Sequence, residues 1–212
     1  MEKSFLTIKH DLVNEIVIEK SRFICSLKRV RSEDEAKDFV LFVKSKFSDA
    51  THNCYAYIAD EGGFYSRYSD DGEPQGTAGL PMLETLKQKS LKQVAVVVTR
   101  YFGGIKLGTG GLARAYSDCV KKAVDLSGIV ENILSSKLTF EINYSLYTKA
   151  LKLIENENAI KLSDEFLSDG VKIAIAVPNE KVESVKDKIC DFSAGKSTVL
   201  VENIGYLEYK KV

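Results

Sequence analysis

Two glycine-rich segments hold most of the side chains whose types and spacing suit chemistry. The first reads Asp70-Asp71-Gly72-Glu73-Pro74-Gln75-Gly76-Thr77-Ala78-Gly79-Leu80-Pro81. The second reads Thr99-Arg100-Tyr101-Phe102-Gly103-Gly104-Ile105-Lys106-Leu107-Gly108-Thr109-Gly110-Gly111-Leu112-Ala113-Arg114, and five of the nine residues from Gly103 to Gly111 are glycine. Glycine admits positive φ and lets a partner's backbone or phosphate come close. The run leads into a predicted helix over Leu112–Leu126, whose free N–H groups and dipole favour an anion. Arg100, Lys106 and Arg114 flank it with cationic donors, and Arg22 and Arg67 extend the patch. With Gly103, Gly104, Gly108, Thr109, Gly110 and Gly111, these five cations are the candidate anion- or nucleic-acid-binding residues. A phosphate or a sugar-phosphate backbone is the natural occupant. The plainer alternative is a tight turn, with Arg114 and Asp118, and Lys121 and Asp125, as ordinary helix-face ion pairs.

Other signals are weaker. Gly108-Thr109-Gly110-Gly111-Leu112-Ala113 fits G-x-G-x-x-A, but five residues separate it from the strand ending at Phe102, and no acid-tipped strand follows at the required distance. Gly103 to Gly108 has the Walker spacing, yet Thr109-Gly110 stands where Lys-Ser/Thr is needed. Asp70, Asp71 and Glu73 form a possible acidic site, for magnesium or for acid-base work, and equally a good turn sequence. His52 reads first as a packed, hydrogen-bonded residue. The cysteines at 25, 54, 119 and 190 are scattered without a CxxC or Cys/His cluster, so no metal site and no cofactor is expected. Tyr55, Tyr57, Tyr65, Tyr68, Tyr101 and Phe102 either stack bases or pack a sheet face.

These residues must be held by a chain of 212 residues, long enough for one large domain or two small ones. Thirty basic and thirty acidic residues give zero net charge, which excludes a polycation or an acidic tail, so any nucleic-acid site is a local patch. The longest apolar runs, such as Val94–Val98, fall far short of a membrane span, and the first residues lack the apolar core of a secretory signal. A cytoplasmic protein with no membrane contact is the expectation. Phe5–His10 and Glu15–Val30 read as strands, the second broken by a turn, and Ser32 with Glu35 forms a capping box. Cys54–Ala59, Phe64–Tyr68 and Gln93–Phe102 read as strands, and Pro81–Lys89 as a helix. Polar residues near Asn132–Ser136 suggest a boundary, giving domains over 1–133 and 134–212. The second parses as strand (Leu138–Tyr144), helix, strands Ile160–Phe166 and Val171–Val177 across a Ser168-Asp169-Gly170 turn, helix and strand Val199–Tyr209, the ferredoxin-like βαββαβ order.

Four blocks carry a family resemblance: Ser21-Arg22-Phe23, Ala50–Tyr57, Asp71–Pro81 and Val97–Gly108. In this order they resemble the IMPACT family in its bacterial YigZ type, over about residues 15–127. The resemblance implies an α+β protein whose first domain has the fold of ribosomal protein S5 domain 2, followed by a ferredoxin-like domain similar to the last domain of elongation factor G. It also implies a role in regulating translation. Eukaryotic relatives carry an additional RWD domain and act on a starvation-responsive kinase pathway, which is not carried over to this chain. RNA or ribosome binding follows by fold analogy.

The leading expectation is a non-enzymatic, translation-linked regulator that binds RNA or the ribosome through the glycine-rich loop. The alternatives are an enzyme acting on a small phosphorylated or nucleotide ligand near Asp70–Glu73, and a purely protein-binding regulator whose partner docks on the C-terminal domain.

Overall fold

A computed structural model describes residues 3–209. Alpha-carbon contacts divide the chain between Asn132 and Ile133 into two compact units, with Ile133–Glu208 forming the second.

In the first unit, β2 (Leu12–Ile18), β3 (Ser21–Arg29), β4 (His52–Ile58), β5 (Ser66–Ser69) and β6 (Val94–Tyr101) form an antiparallel sheet in the order β2-β3-β6-β4-β5. Strand β1 (Ser4–Ile8) is not part of this sheet: it pairs with the strand that begins at Ile129, and Leu6 forms an isolated parallel bridge with Leu91. The β2–β3 turn places Glu19 and Lys20 at positive φ, which suits the right-handed twist of a hairpin. Strand β6 is central, and all its residues from Val94 to Arg100 are buried because helices cover both faces. On one face α2 (Gly79–Gln88) and α3 (Gly108–Ser127) pack Met82, Leu86, Tyr116 and Val120 against Phe23, Cys54, Val96 and Val98. On the other, α1 (Glu33–Lys46) packs Ala36, Val40 and Val43 against Tyr57, Ala95 and Val97.

The expected cap of α1 is present. Ser32 Oγ accepts from Glu35 N at 3.2 Å, and Glu35 Oε2 accepts from Arg31 N, one residue before the cap, at 2.8 Å. Helix α3 differs from expectation: it begins at Gly108, so Gly108–Gly111 form its first turn rather than a loop before it. The helix-face pairs differ too, since Asp118 pairs with Lys121 at 3.6 Å and Asp125 with Lys89 at 2.7 Å.

The polar stretch read as a boundary is itself strand. Strand β7 runs unbroken from Ile129 to Ile142, and Asn132, Ser135 and Ser136 are buried within it. In the second unit, α4 (Tyr147–Asn156), β8 (Ile160–Phe166), β9 (Val171–Pro178), α5 (Val182–Ser193) and β10 (Leu200–Tyr209) follow. The strand order β10-β7-β9-β8 with βαββαβ connectivity is the ferredoxin-like arrangement. Leu138, Phe140, Ile173 and Ile175 pack under Ala150, Ile154, Val185 and Ile189 of the two helices.

Candidate functional site

The two glycine-rich segments meet at one end of the N-terminal sheet, and a buried polar network joins them. Asp70 organises the first segment. Its Oδ2 accepts from Gly76 N at 2.8 Å, and its Oδ1 accepts from Ala78 N at 3.0 Å and Gly79 N at 2.8 Å, which caps α2 from eight residues away. Gly79 is required there, because a Cβ would stand 2.7 Å from the backbone of Ser69. Asp71 accepts from Asn53 N at 2.7 Å and from Lys44 Nζ at 2.6 Å. Glu73 turns inward, where its Oε1 accepts from Arg100 Nη1 at 2.6 Å and from Tyr116 OH at 2.8 Å.

Arg100 therefore corrects the expectation of a free cation flanking the loop. It is buried on β6, its guanidinium carbon lies 5.3 Å from the ring centre of Phe23 and 5.5 Å from that of Phe102, and Nη2 donates to Ser21 Oγ at 3.4 Å. Ser21 Oγ also accepts from Gly103 N at 3.1 Å, and Thr51 Oγ1 accepts from Phe102 N at 3.1 Å, so the loop after β6 is pinned at its root. Gly103 fits only as glycine, since a Cβ would lie 2.1 Å from the Lys20 carbonyl carbon.

His52 donates from Nδ1 to the Asp71 carbonyl at 2.8 Å, because a carbonyl can only accept, and its Nε2 stands 3.9 Å from Glu73 Oε2. Cys54 Sγ lies 3.0 Å from the Asp70 carbonyl and 3.3 Å from Tyr116 OH. Burial pushes the Cys54 thiol up to about 12, with the Tyr116 hydroxyl opposing that shift. Burial likewise raises Tyr116 far above the ordinary phenol range, and Cys54 and Glu73 add to it. Neither group supplies an anion at neutral pH, so the network is not a nucleophile with its base; the buried Arg100 Nε has no hydrogen-bond partner in it. The three carboxylates of the acidic segment each serve different protein groups and do not converge on one point. Among the described residues, no group of three or more His, Cys, Asp or Glu is placed to hold a metal ion. No helix among them is long and apolar enough to cross a membrane.

What remains open is the first turn of α3. Leu107 caps it without a side-chain hydrogen bond, and no acid lies in that turn. Gly104, Lys106, Gly108, Thr109, Gly110 and Arg114 are exposed, and nothing lies within 4 Å of where a Cβ of Gly104, Gly108 or Gly110 would be. The side chains of Lys106 and Arg114 have no hydrogen-bond or ion-pair partner among the described residues. Gly111 is half-buried against Leu107.

Two expected members of the patch are placed differently. Arg22 pairs bidentately with Glu15, Nε to Oε1 at 2.9 Å and Nη2 to Oε2 at 3.0 Å, and lies over the Tyr101 ring; the pair holds the Glu15 carboxyl below its usual range. Arg67 on β5 stands opposite Tyr57, five residues along β4 from His52, roughly 16 Å away at 3.3 Å per residue. It belongs to the other end of the sheet.

Residues that sequence reasoning did not single out as site members, Ser21, Asn53, Cys54, Thr99 and Tyr116, all join this network; Thr99 Oγ1 donates to Asn53 Oδ1 at 2.7 Å. One signal for it was visible: Arg100 is the only charge in an otherwise uncharged strand, and such a residue needs a buried partner.

Residues 19–124 match the family described as "Impact N-terminal domain", and residues 140–196 match "Domain of unknown function (DUF1949)". The chain is 41% identical to the IMPACT family member YvyE of Bacillus subtilis, covering 98% of this chain and 95% of that protein. It is 35% identical to IMPACT family member YigZ of Escherichia coli, over 86% of this chain and 90% of that one. Protein IMPACT of Rattus norvegicus is 37% identical over a shorter stretch, 42% of this chain and 29% of the rat protein. A solved structure titled "Crystal structure of an hypothetical protein" superposes with a TM-score of 0.61 at 33% identity, covering 94% of this chain and 98% of that one.

Proposed function

The chain belongs to the IMPACT family, and we propose that it is a translation-linked regulator that binds RNA or the ribosome at the start of α3. The observation that carries this reading is the uncapped, acid-free first turn of α3, with exposed Lys106 and Arg114 and open space around Gly104, Gly108 and Gly110. Glycine within a helix costs about 1 kcal/mol relative to alanine. Packing does not require it at Gly110, where a side chain would meet nothing. Bare N–H groups that a phosphate can reach without obstruction give that cost a use. Contacts of this kind position a backbone and do not read base sequence. The engagement of Asp70, Asp71 and Glu73 by other protein groups weighs against the enzymatic reading.

The test is binding of the purified protein to RNA and to ribosomes across a salt series. Lys106→Ala and Arg114→Ala are expected to weaken binding and to reduce the salt slope by about 0.7 per lost phosphate contact on a single strand. Wild-type protein that fails to bind at low salt overturns the reading, and so do variants that bind as the wild type does.

A second contact, with a protein partner through the C-terminal domain, draws on one observation. Tyr144 and Phe166 are exposed and stack at 6.3 Å beside the edge strand β8. Phe166→Glu in the full chain is expected to abolish partner capture while leaving RNA affinity unchanged.

A further inference from the structure

Helix α1 covers only part of its face of the N-terminal sheet. On that face Tyr55 and Tyr57 of β4 stack side by side, ring centres 6.1 Å apart and nearly parallel. Arg67 of the edge strand β5 stands in register with Tyr57. Between these residues and α1 runs a groove of about 440 Å³, its outer lip formed by Leu41, which is 64% exposed.

The chemistry around the groove is mixed in a specific way. Lys37, Lys44 and Arg67 line it with a single carboxylate, Glu33. Lys37 lies 3.3 Å from Glu33, and Lys44 bonds Asp71 while lying over the Tyr55 ring at 5.6 Å. Arg67 is exposed and spends one donor on the Ser66 carbonyl, with no ion-pair partner among the described residues. Glu33 Oε1 accepts from Tyr57 OH at 3.2 Å, which leaves Oε2 for a further donor.

We propose that this groove binds one nucleotide, with its phosphate on Arg67, its base against Leu41 and Tyr55, and a ribose hydroxyl or base amino group donating to Glu33. Each requirement of that ligand has a counterpart. A flat apolar ring needs an apolar and aromatic wall, a phosphate needs a guanidinium fork, and a hydrogen-bond donor needs a carboxylate. The volume lies within the roughly 300–1,000 Å³ usual for small-ligand sites. The groove is separate from the first turn of α3 and stands or falls independently of it. The same chemistry comes from a free mononucleotide or from one nucleotide of an RNA strand.

The experiment titrates the full chain with AMP, and separately with an RNA hexanucleotide, by calorimetry. Arg67→Ala and Leu41→Glu alter exposed side chains, and their unfolding midpoints serve as the control for folding. Saturable AMP binding that both variants weaken by about tenfold or more, and that Lys106→Ala leaves unchanged, supports the site as one for a free nucleotide. The same variant pattern with the hexanucleotide but not AMP supports it as a pocket for a nucleotide within a strand. Binding of neither probe at millimolar concentration overturns the proposal, as does binding that Arg67→Ala and Leu41→Glu leave intact. Hexanucleotide binding lost only in Lys106→Ala overturns the groove and upholds the loop.

Discussion

Arg100 on β6 and Glu73 in the first glycine-rich segment, 27 residues apart, meet at 2.6 Å with side chains only 6% and 4% exposed. The pair ties the segment that starts α2 to the strand that leads into α3. Removing one partner of a buried pair leaves an uncompensated charge and costs about 3–5 kcal/mol. Arg100→Ala and Glu73→Ala are each expected to lower the unfolding free energy by about that amount in urea denaturation. Arg100→Met combined with Glu73→Leu is expected to cost much less than the two single losses added together, because it removes both charges at once. Single variants that cost under about 1 kcal/mol would show the pair does not fasten the segments.

In the second segment Gly104 and Gly108 hold positive φ, whereas Gly103 and Gly110 do not, and alanine substitution distinguishes this latter pair. Gly103→Ala forces a Cβ to 2.1 Å from the Lys20 carbonyl carbon, so the β2–β3 turn or the loop must move, and a large drop in thermal midpoint is expected. Gly110→Ala places its methyl in open space within α3 and is expected to stabilise the fold by up to about 1 kcal/mol. Under the proposed function that same variant loses affinity for RNA. More stability with less binding marks Gly110 as kept for a ligand, and more stability with unchanged binding removes that role.

Local grammar made much of the fold legible. Ser32 and Glu35 announce α1, the Ser168-Asp169-Gly170 turn announces the β8–β9 hairpin, and alternation gives the C-terminal strands. The continuous β7 was hidden because Asn132, Ser135 and Ser136 look like linker residues, and their burial depends on tertiary neighbours. The candidate site was legible as a place and misread in its parts. Arg100 and Lys106 carry the same charge and lie six residues apart, yet one is enclosed by a central strand's covered faces and the other stands on a loop. Only the sheet order, which local sequence does not encode, separates them. The displacement of Arg67 has the same origin: its distance from the loop follows from pairing with Tyr57 rather than with His52.

Thiol chemistry gives a test of the buried network that needs no ligand. Cys25, Cys54 and Cys119 are buried, and Cys190 is exposed. Burial holds Cys54 up at about 12, and a hydrogen bond with Cys119 and burial hold Cys25 up as well. Because the thiolate is the reactive form, a disulfide reagent at pH 8 is expected to modify Cys190 quickly and the other three only on unfolding. Linkage adds a second expectation. A thiol whose folded pKa lies above its unfolded value of about 8.5 binds more protons in the fold, so its contribution is complete below that pH and is lost as pH rises. Tyr116 acts with the same sign, starting from about 10. The unfolding free energy is therefore expected to hold steady to about pH 8 and fall through pH 9 to 11, and Cys54→Ala should flatten the early part of that fall. Rapid modification of more than one thiol in the folded protein, or stability that does not decline above pH 9, would mean that Cys54 and Tyr116 are not sealed beneath the Glu73–Arg100 pair.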